Sequence, residues 1–571
     1  MKFELLDWVL LIITLFSVIL YGIYKSRTQS NLEGYFLSGR NMPWWLVMLS
    51  IMGTQASAIT FLTAPGQAYT DGMRFVQYYF GLPLAMVVLC ITFVPIFHKL
   101  KVFTAYEFLE RRFDVKTRLL TSMLFLLSRG LSTGISIFAP SLVLHSMLGW
   151  DIYWTNIFMG GLLIVYTVTG GARAVAYTQQ LQFLIIYVAM FAAGWYAVQS
   201  LPEGLGIGDA LHVAGKSGKL NVITTGVQDG SFDWKDKYNI WSGIIGGFFL
   251  ALSYFGTDQS QVGRYLTAKN LSESRTGLLM NGVLKVPLQF LILLLGCLVF
   301  AYYSYFKSPA FFNRAQEEKV MQTAYVHDYE KLKNEFAEIQ GKKKETAVRL
   351  SSYLKQNEVA LVNQCRIDLL NLESETNKKR VEIKQLIKNA LPGADTNDTN
   401  YIFLHFVGDV LPKGWVGIII AIIFLAAWGS IAAALNSLSS CTLIDFHQRL
   451  SKRTMTESES VKLGKLYTFL WGVFCILIAQ FAFKLGNSLI EAVNILGSWF
   501  YGTILGIFLV AFYLKRVQSN HVFIAALITE VAVIAIYFMD VISFLWLNVI
   551  GAIGVLLLSF LFSKVHPLSQ K

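Results

Sequence analysis

The chain is poor in charge and poorer in cysteine. Of its 571 residues only 15% are Asp, Glu, Lys or Arg, where soluble domains carry about 25%. The shortfall is uneven: residues 307–400 hold 16 Lys+Arg and 14 Asp+Glu, 30 of the 84 charges. The other 477 residues carry 54, about 11%. Such a composition excludes a soluble globular or disordered chain and is that of a membrane protein. The five cysteines (Cys90, Cys297, Cys365, Cys441, Cys475) include no C-x-x-C pair and no metal-ligand spacing, so neither a disulfide framework nor a zinc site is supported. No nucleophile–base pair, metal motif or phosphate loop is present, and neither an enzyme nor a bound cofactor is expected.

What the chain has instead is apolar runs. Hydrophobic residues make up 54% of it and the mean hydropathy is +0.51. A bilayer core is crossed by about 20 apolar helical residues. Runs of that kind occupy 6–24, 45–69, 73–97, 119–148, 152–170, 178–199, 238–257, 278–306, 415–444, 465–483, 487–514, 520–539 and 543–563. The expected fold is therefore an all-α, multi-pass membrane protein of about 13 transmembrane helices. Glu4 and Asp7 precede the first run, Lys25 and Arg27 follow it, and no A-x-A site appears. It reads as a retained span rather than a signal peptide.

Basic residues orient the spans. With the N-terminus outside, the cytoplasmic connections hold 22 Lys+Arg, from Lys25, Arg27 and Arg40 to Lys564 and Lys571. The opposite short connections hold eight: Lys2, Arg74, Lys216, Lys219, Lys235, Lys237, Lys413 and Lys484. The C-terminus is then cytoplasmic. The net charge of +12 needs no nucleic-acid partner to explain it. The charged stretch 307–400 falls on the outer face. Met321, Tyr325, Leu332, Phe336 and Ile339 recur there at helical spacing, Gly341 is expected to break the run, and a second helical pattern follows to Pro392-Gly393. This predicts an extramembrane helical hairpin, either a solvated appendage or a docking element for a protein partner.

Two spans are too rich in glycine and hydroxyls for plain lipid-facing helices. The second carries Gly53-Thr54-Gln55-Ala56-Ser57, then Thr60, Thr63 and Pro65-Gly66; the seventh carries Gly243, Gly246-Gly247 and Ser253-Tyr254-Phe255-Gly256-Thr257-Asp258. Interrupted spans in matching positions of two halves mark the binding site of inverted-repeat transporters. Lying five spans apart, they would open two five-helix repeats of opposite topology. Packing of small residues between helices is the plainer alternative. A third polar cluster, Gly429-Ser430 and Asn436-Ser437-Leu438-Ser439-Ser440, lies in the ninth span. Its hydroxyls, beside unwound carbonyls, suit a small monovalent cation; a Ser-rich stretch taken alone is more often glue between helices. Intramembrane charges are costly and tend to be functional. Arg129, Lys285, Glu491 and Glu530 are of this kind. Arg129 is read three ways: receiving a carboxylate, satisfying broken-helix carbonyls, or snorkelling to the interface. Lys285 reads as structural, and His145 as a weak proton-relay candidate.

These residues resemble the sodium:solute symporter family, over nearly the whole chain outside 307–400. The resemblance rests on Gly256-Thr257-Asp258-Gln259-x-x-Val262-x-Arg264-x-Leu266-Thr267-Ala268-Lys269, on Thr169-Gly170-Gly171-Ala172-x-Ala174-Val175, and on the run from Phe103 to Phe113. It implies a five-plus-five inverted-repeat (LeuT-like) core with extra helices at both ends. It implies a sodium site on Gly53, Ala56, Ala426, Gly429 and Ser430, with Gly429 standing where the family usually has a serine. A second sodium site is expected to be absent, because Gln179, Ala432 and Ala433 stand at its ligand positions; at most one coupled sodium follows. Ile59 argues against a galactose-like substrate. The galactose-type contacts on the broken helix align with Gln55, Ile59 and Thr60; the run instead resembles the sialic acid branch, which places substrate at Ser57, Thr60 and Arg129, and Tyr254 matches an aromatic inner gate with Phe255 beside it.

The implied organisation is 1–44, an extra span and loop; 45–200, the first repeat; 201–237, an outer loop; 238–306, the start of the second repeat; 307–414, the insertion; 415–514, the rest of that repeat; and 515–571, extra spans. The implied function is sodium-coupled symport of a small polar solute, sialic-acid-like or otherwise carboxylated. The alternatives are a proton-coupled or neutral-sugar transporter of the same fold, or a non-transporting membrane sensor.

Overall fold

The computed structural model describes residues 4–26, 32–451, 455–482 and 488–565. Lys2, Arg27, Lys452, Arg453, Lys484 and Lys571 of the charge-bias argument lie outside them, as do the side chains of Lys25 and of residues 169–174, which include the Thr169-Gly170-Gly171-Ala172 motif. Among the described residues the elements are helical except for one small antiparallel hairpin, Val227–Gln228 with Ser231–Phe232. Nine helices there are long and apolar enough to cross a membrane, and Leu5–Tyr21, Ile152–Val168 and Ser242–Thr257 are shorter apolar helices. The all-helical, multi-pass architecture expected from composition is present.

Burial separates core from rim. In the most apolar stretch of Trp415–Ser451, 94% of residues are buried, and in Leu489–Tyr513 83%, against 22% in Glu457–Ala479. The first two are interior helices. The third turns Leu466, Phe469, Leu470 and Leu477 outward, as a lipid-facing helix can. Interior contacts depend on glycine: a methyl group at Gly551 would lie 2.8 Å from the Gly502 backbone, so these two helices touch main chain to main chain. Within Ile152–Gln199, Ile152–Val168 and Val175–Gln199 are separate apolar helices, and the Tyr166 and Thr178 hydroxyls are 2.9 Å apart. Twelve residues of straight helix would separate them by about 18 Å, so the chain reverses between them. Two antiparallel passes result, as the fifth and sixth apolar runs predicted.

The second span breaks where the sequence indicated. One helix, Trp44–Gln55, ends before Ala56 (φ −86°, ψ 86°) and Ser57 (φ −88°, ψ 176°), and another, Ala58–Asp71, begins after them. The seventh span differs from expectation. Gly247–Thr257 is regular helix through Ser253-Tyr254-Phe255-Gly256-Thr257; a π-helical turn covers Ser242–Gly246, and the break comes only at Asp258. The hydroxyls do not compete with the helix ladder: Thr257 Oγ1 donates back to Ser253 O (2.9 Å), and Ser253 Oγ donates across to Tyr501 O (2.6 Å). Asp258 instead caps the next helix, Gln259–Tyr265, accepting from Ser260 N at 2.8 Å.

The charged insertion is a hairpin of two long helices, Val326–Lys355 and Val359–Ala390. Gly341 does not break the first; the turn falls at 356–358, with Asn357 at φ 57°. A single mid-helix glycine costs about 1 kcal/mol. The paired helices offset this with buried Tyr329, Phe336, Leu350, Leu369, Ile383 and Ile387 and with the Lys343–Glu373 and Lys379–Glu335 ion pairs at 2.7 and 2.8 Å. A methyl group at Gly341 would meet nothing within 4 Å. Gly341→Ala is therefore expected to stabilise the hairpin by about 0.5–1 kcal/mol, seen as slower amide hydrogen exchange across residues 338–344; unchanged or faster exchange would contradict this account.

Candidate functional site

The break at Ala56 and Ser57 redirects backbone hydrogen bonds. In an unbroken helix Ser57 N–H would serve Gly53 O and Thr60 N–H would serve Ala56 O. Here Ser57 N–H donates to Gln55 O (3.2 Å) and Thr60 N–H to Ser57 O (3.0 Å). Irregular backbone at membrane depth is tolerated where it lines a cavity, and a cavity of about 110 Å³ opens beside it. Of the expected site residues, Gln55, Ser57, Thr60, Arg129, Tyr254, Phe255 and Ser430 all line it. Apart from Ser57 in the break itself, they come from five helices, two of them the halves of the broken span and the other three far from it in the chain. Ile59 lines it too, as an apolar wall.

Arg129 is neither snorkelled nor spent on carbonyls. Its Nε donates to Asp258 Oδ2 at 3.1 Å, its Nη2 pairs with the same carboxylate, and the guanidinium lies 5.3 Å from the Tyr254 ring centre. Tyr501 Oη also donates to Asp258 Oδ2, at 2.9 Å. Arg129 itself is only 11% exposed at the side chain and Asp258 fully buried, so the ion pair is poorly screened. Tyr254 is held from behind by Gln261, whose Nε2 donates to its hydroxyl at 2.7 Å. The floor of the cavity is thus a set of mutually bonded polar groups, with Phe255 edge-on to Tyr254 at 4.9 Å between ring centres.

The expected cation ligands lie to one side. Ser430 Oγ donates to Ala426 O (3.0 Å) and Ala427 O (3.1 Å), which leaves its lone pairs directed away from its own helix. Gly53 and Gly429 do not line the cavity; they face Gln179. Its Oε1 accepts from Ser50 Oγ (3.1 Å) and its Nε2 donates to Gly429 O (3.2 Å). A methyl group at Gly53 would meet Gln179 Cδ at 2.8 Å, and one at Gly429 would meet Gln182 Oε1 at 2.7 Å. Gln179 therefore ties the broken helix to Trp415–Cys441. Ala432 and Ala433 pack with Val175 in an apolar cluster.

Other singled-out groups lie elsewhere. Glu491 pairs with Lys237 at 2.5 Å, and Glu530 is buried on Ser519–Phe538. The His145 ring bonds the Trp150 carbonyl. Lys285 is 1% exposed, 5.6 Å from the Tyr79 ring centre, and its Nζ finds no hydrogen-bond partner. One turn away on either side, Asn281 and Gln289 are equally buried and unpartnered. Two of the resemblance motifs meet below the cavity: Gln259 Nε2 donates to Phe103 O (2.8 Å), and Tyr106 Oη donates to Thr257 O (2.8 Å).

Several lining residues escaped the sequence reading. Thr133 and Ser136 share the Arg129 face of helix Val115–Leu148, and their spacing of four and seven residues would have identified them. Asn494, which accepts from Tyr78 Oη at 3.1 Å, and Tyr501 repeat on one face of Leu489–Tyr513 in the same way. Tyr78 and Tyr79 lie on a short 3₁₀ stretch, Gly72–Tyr79, where no periodicity marks them.

A profile of the sodium:solute symporter family matches residues 35–337 and 384–529. The sodium/sialic acid symporter SiaT of Proteus mirabilis is 26% identical over 564 residues, covering 97% of this chain and 94% of that protein. The sodium/sialic acid symporter NanT of Aliivibrio fischeri is 24% identical, covering 98% and 93%. Among solved structures, a Na+-coupled sialic acid symporter in a substrate-bound outward-open state matches with a TM-score of 0.75 at 23% identity, over 99% of this chain and 98% of that one. This likeness shows the LeuT-like fold. With the family profile spanning most of its length, the chain belongs to the sodium:solute symporter family.

Proposed function

We propose that the chain couples inward sodium flow to uptake of a carboxylated, sialic-acid-like solute across a plasma or inner membrane, with its N-terminus outside and its C-terminus cytoplasmic. The observation that carries this reading is the cavity at the helix break. It gathers Gln55, Ser57, Thr60, Arg129 and Ser430 in a member of a family of sodium symporters, and two relatives matched over 94% and 93% of their length are sodium/sialic acid symporters. Residues 45–200 and the pair 238–306 with 415–514 are the two repeats in this reading, and they rock about the cavity to expose it alternately.

Sodium is assigned to the carbonyls of Gly53, Ala56 and Ala426 and to Ser430 Oγ. Gly429 contributes no hydroxyl, so water completes the shell. Filling that site would hold the break open in one geometry and so favour solute binding beside it; the effect is reciprocal, about 1–3 kcal/mol in typical cases. The solute carboxylate is assigned to Arg129, which then divides its donors between the solute and Asp258. Each solute that binds thereby loosens the polar floor made with Tyr254 and Tyr501, which links occupancy to opening toward the far side. Ser57 and Thr60 supply hydroxyls, Gln55 an amide, and Ile59 apolar contact.

A second reading, coupling to protons, is favoured by one observation: the buried Lys285 Nζ has no hydrogen-bond partner among the described residues. Replacing sodium by choline decides between them: uptake that persists in choline overturns the sodium reading. Ser430→Ala removes one charge-facing oxygen, worth about 1.5–3 kcal/mol. It is expected to raise the sodium concentration for half-maximal uptake by ~10-fold or more, and an unchanged value would remove Ser430 from the site. Arg129→Gln is expected to abolish uptake of sialic acid in proteoliposomes, whereas normal uptake by that variant would end the carboxylate assignment.

A further inference from the structure

The hairpin reaches the same broken helix that lines the central cavity: Arg380 Nη2 donates to Tyr69 Oη at 3.5 Å. Tyr69 and Thr70, at the hairpin end of Ala58–Asp71, lie nine and ten residues beyond Thr60, about 14 Å along the helix. Between them and the hairpin is a separate cavity of about 160 Å³, lined among others by Tyr69, Lys343, Glu373, Arg380, Lys384 and Asp398. Lys343, Glu373 and Arg380 belong to the stretch 338–383 that the family profile leaves unmatched.

The charges around this cavity do not balance. Glu373 takes both Lys343 (2.7 Å) and Lys219 (3.0 Å), and Lys219 Nζ also donates to Thr70 O at 2.7 Å. Burial opposes ionisation of Glu373, but the two ammonium groups overcome it and hold its carboxyl well below the usual range. Lys384 pairs with Asp398 at 2.6 Å. Arg380, 8% exposed, has no carboxylate within ion-pair distance among the described residues. Its Nη2 donates to Pro309 O (3.1 Å), Ser308 Oγ (3.3 Å) and Tyr69 Oη (3.5 Å), its Nε has no hydrogen-bond partner among the described residues, and its guanidinium sits 4.8 Å from the Phe312 ring centre and 5.4 Å from that of Phe336. Of the charged groups lining the cavity, three cations (Lys343, Arg380 and Lys384) thus stand against two carboxylates (Glu373 and Asp398). Asp395 nearby adds only part of a third negative charge at neutral pH, since its own burial and the Asp398 charge push it up to about 7. Aromatic faces offset part of the cost of a buried cation, but an uncompensated excess in a protected cavity favours a bound anion.

We propose that this cavity is a second binding site, for a small oxyanion, distinct from the central one and bridging the hairpin to the broken helix. The planar Arg380 guanidinium supplies the donors that a carboxylate or phosphate accepts, with Lys343 and Lys384 on its flanks. An occupant would stiffen the junction between hairpin and Ala58–Asp71, giving the hairpin a means of influencing the helix on which solute binds.

The test is equilibrium binding to full-length protein in detergent, with choline in place of sodium, using sialic acid and inorganic phosphate as separate probes. At least one probe is expected to bind saturably. Arg380→Gln is expected to weaken that binding at least tenfold. Asn377→Trp, which fills the exposed mouth without touching a buried charge, is expected to do the same in a variant that keeps the aromatic cage intact. Binding of phosphate alone identifies a free phosphate site and binding of sialic acid alone a solute site; either supports the proposal. Failure of both probes to bind, or binding that survives both substitutions, overturns it. No sodium is present and no uptake is read, so the result stands apart from the transport assignment above.

Discussion

The structure turns on two residues of non-helical backbone, Ala56 and Ser57, held deep among helices. In a medium without water every backbone group needs a partner, and a break withdraws the amides that Gly53 O and Ala56 O would have had. Such a break persists only if something else uses the freed groups. Its surroundings are arranged accordingly: hydroxyls from Ser57, Thr60 and Ser430, and a cavity rather than packed side chains. The polarity of the site is a consequence of the break, and so is its location.

Around that point the helices are tied by polar side chains acting across long sequence distances. Gln179 spans from Ser50 to Gly429 O, and two glycines are needed because a Cβ at Gly53 or Gly429 would crowd the Gln179 or Gln182 side chain. Below the cavity, Asp258 collects Arg129, Tyr501 and the Ser260 amide. A buried pair of this kind contributes little net stability, since desolvation offsets most of its attraction; what it does is fix a geometry. On the far side of these ties, Asp445 is bound by Arg118, Thr104 and Ser122, and the helices of the two motif segments are held together at their ends.

The hairpin is a different kind of object. Its two helices pair through their own apolar seam and ion pairs and rest chiefly on Leu271–Tyr305 and Ile207–Lys216, while Arg380 reaches Tyr69 at the end of the broken helix. A methyl group at Gly66 would stand 2.1 Å from Thr399 O, which shows how closely the segment following the hairpin is laid against that helix. Movement of the outer half of the helix and movement of the hairpin are therefore coupled by contact.

Much of this was legible before any coordinates. Long apolar runs can only be helices when lipid is the solvent, because no other open backbone satisfies its own hydrogen bonds, and so the spans followed from composition. Glycine and hydroxyl density gave away the broken second span, since those residues weaken a helix wherever they occur. The same signal misplaced the break in the seventh, where Ser253 and Thr257 found carbonyl partners and the helix stayed whole. Gly341 misled for a related reason: a local penalty of about 1 kcal/mol is smaller than what a paired helix supplies. Arg129 could be singled out by its charge, but its partner Asp258 lies 129 residues away, and Gln179 is joined to Gly429 across 250. Periodicity and propensity are properties of neighbours along the chain. Which distant groups meet, and whether a buried charge is paired, neutral or waiting for a ligand, is settled only when the helices pack, because desolvation and Coulomb energies depend on distances that the sequence does not contain.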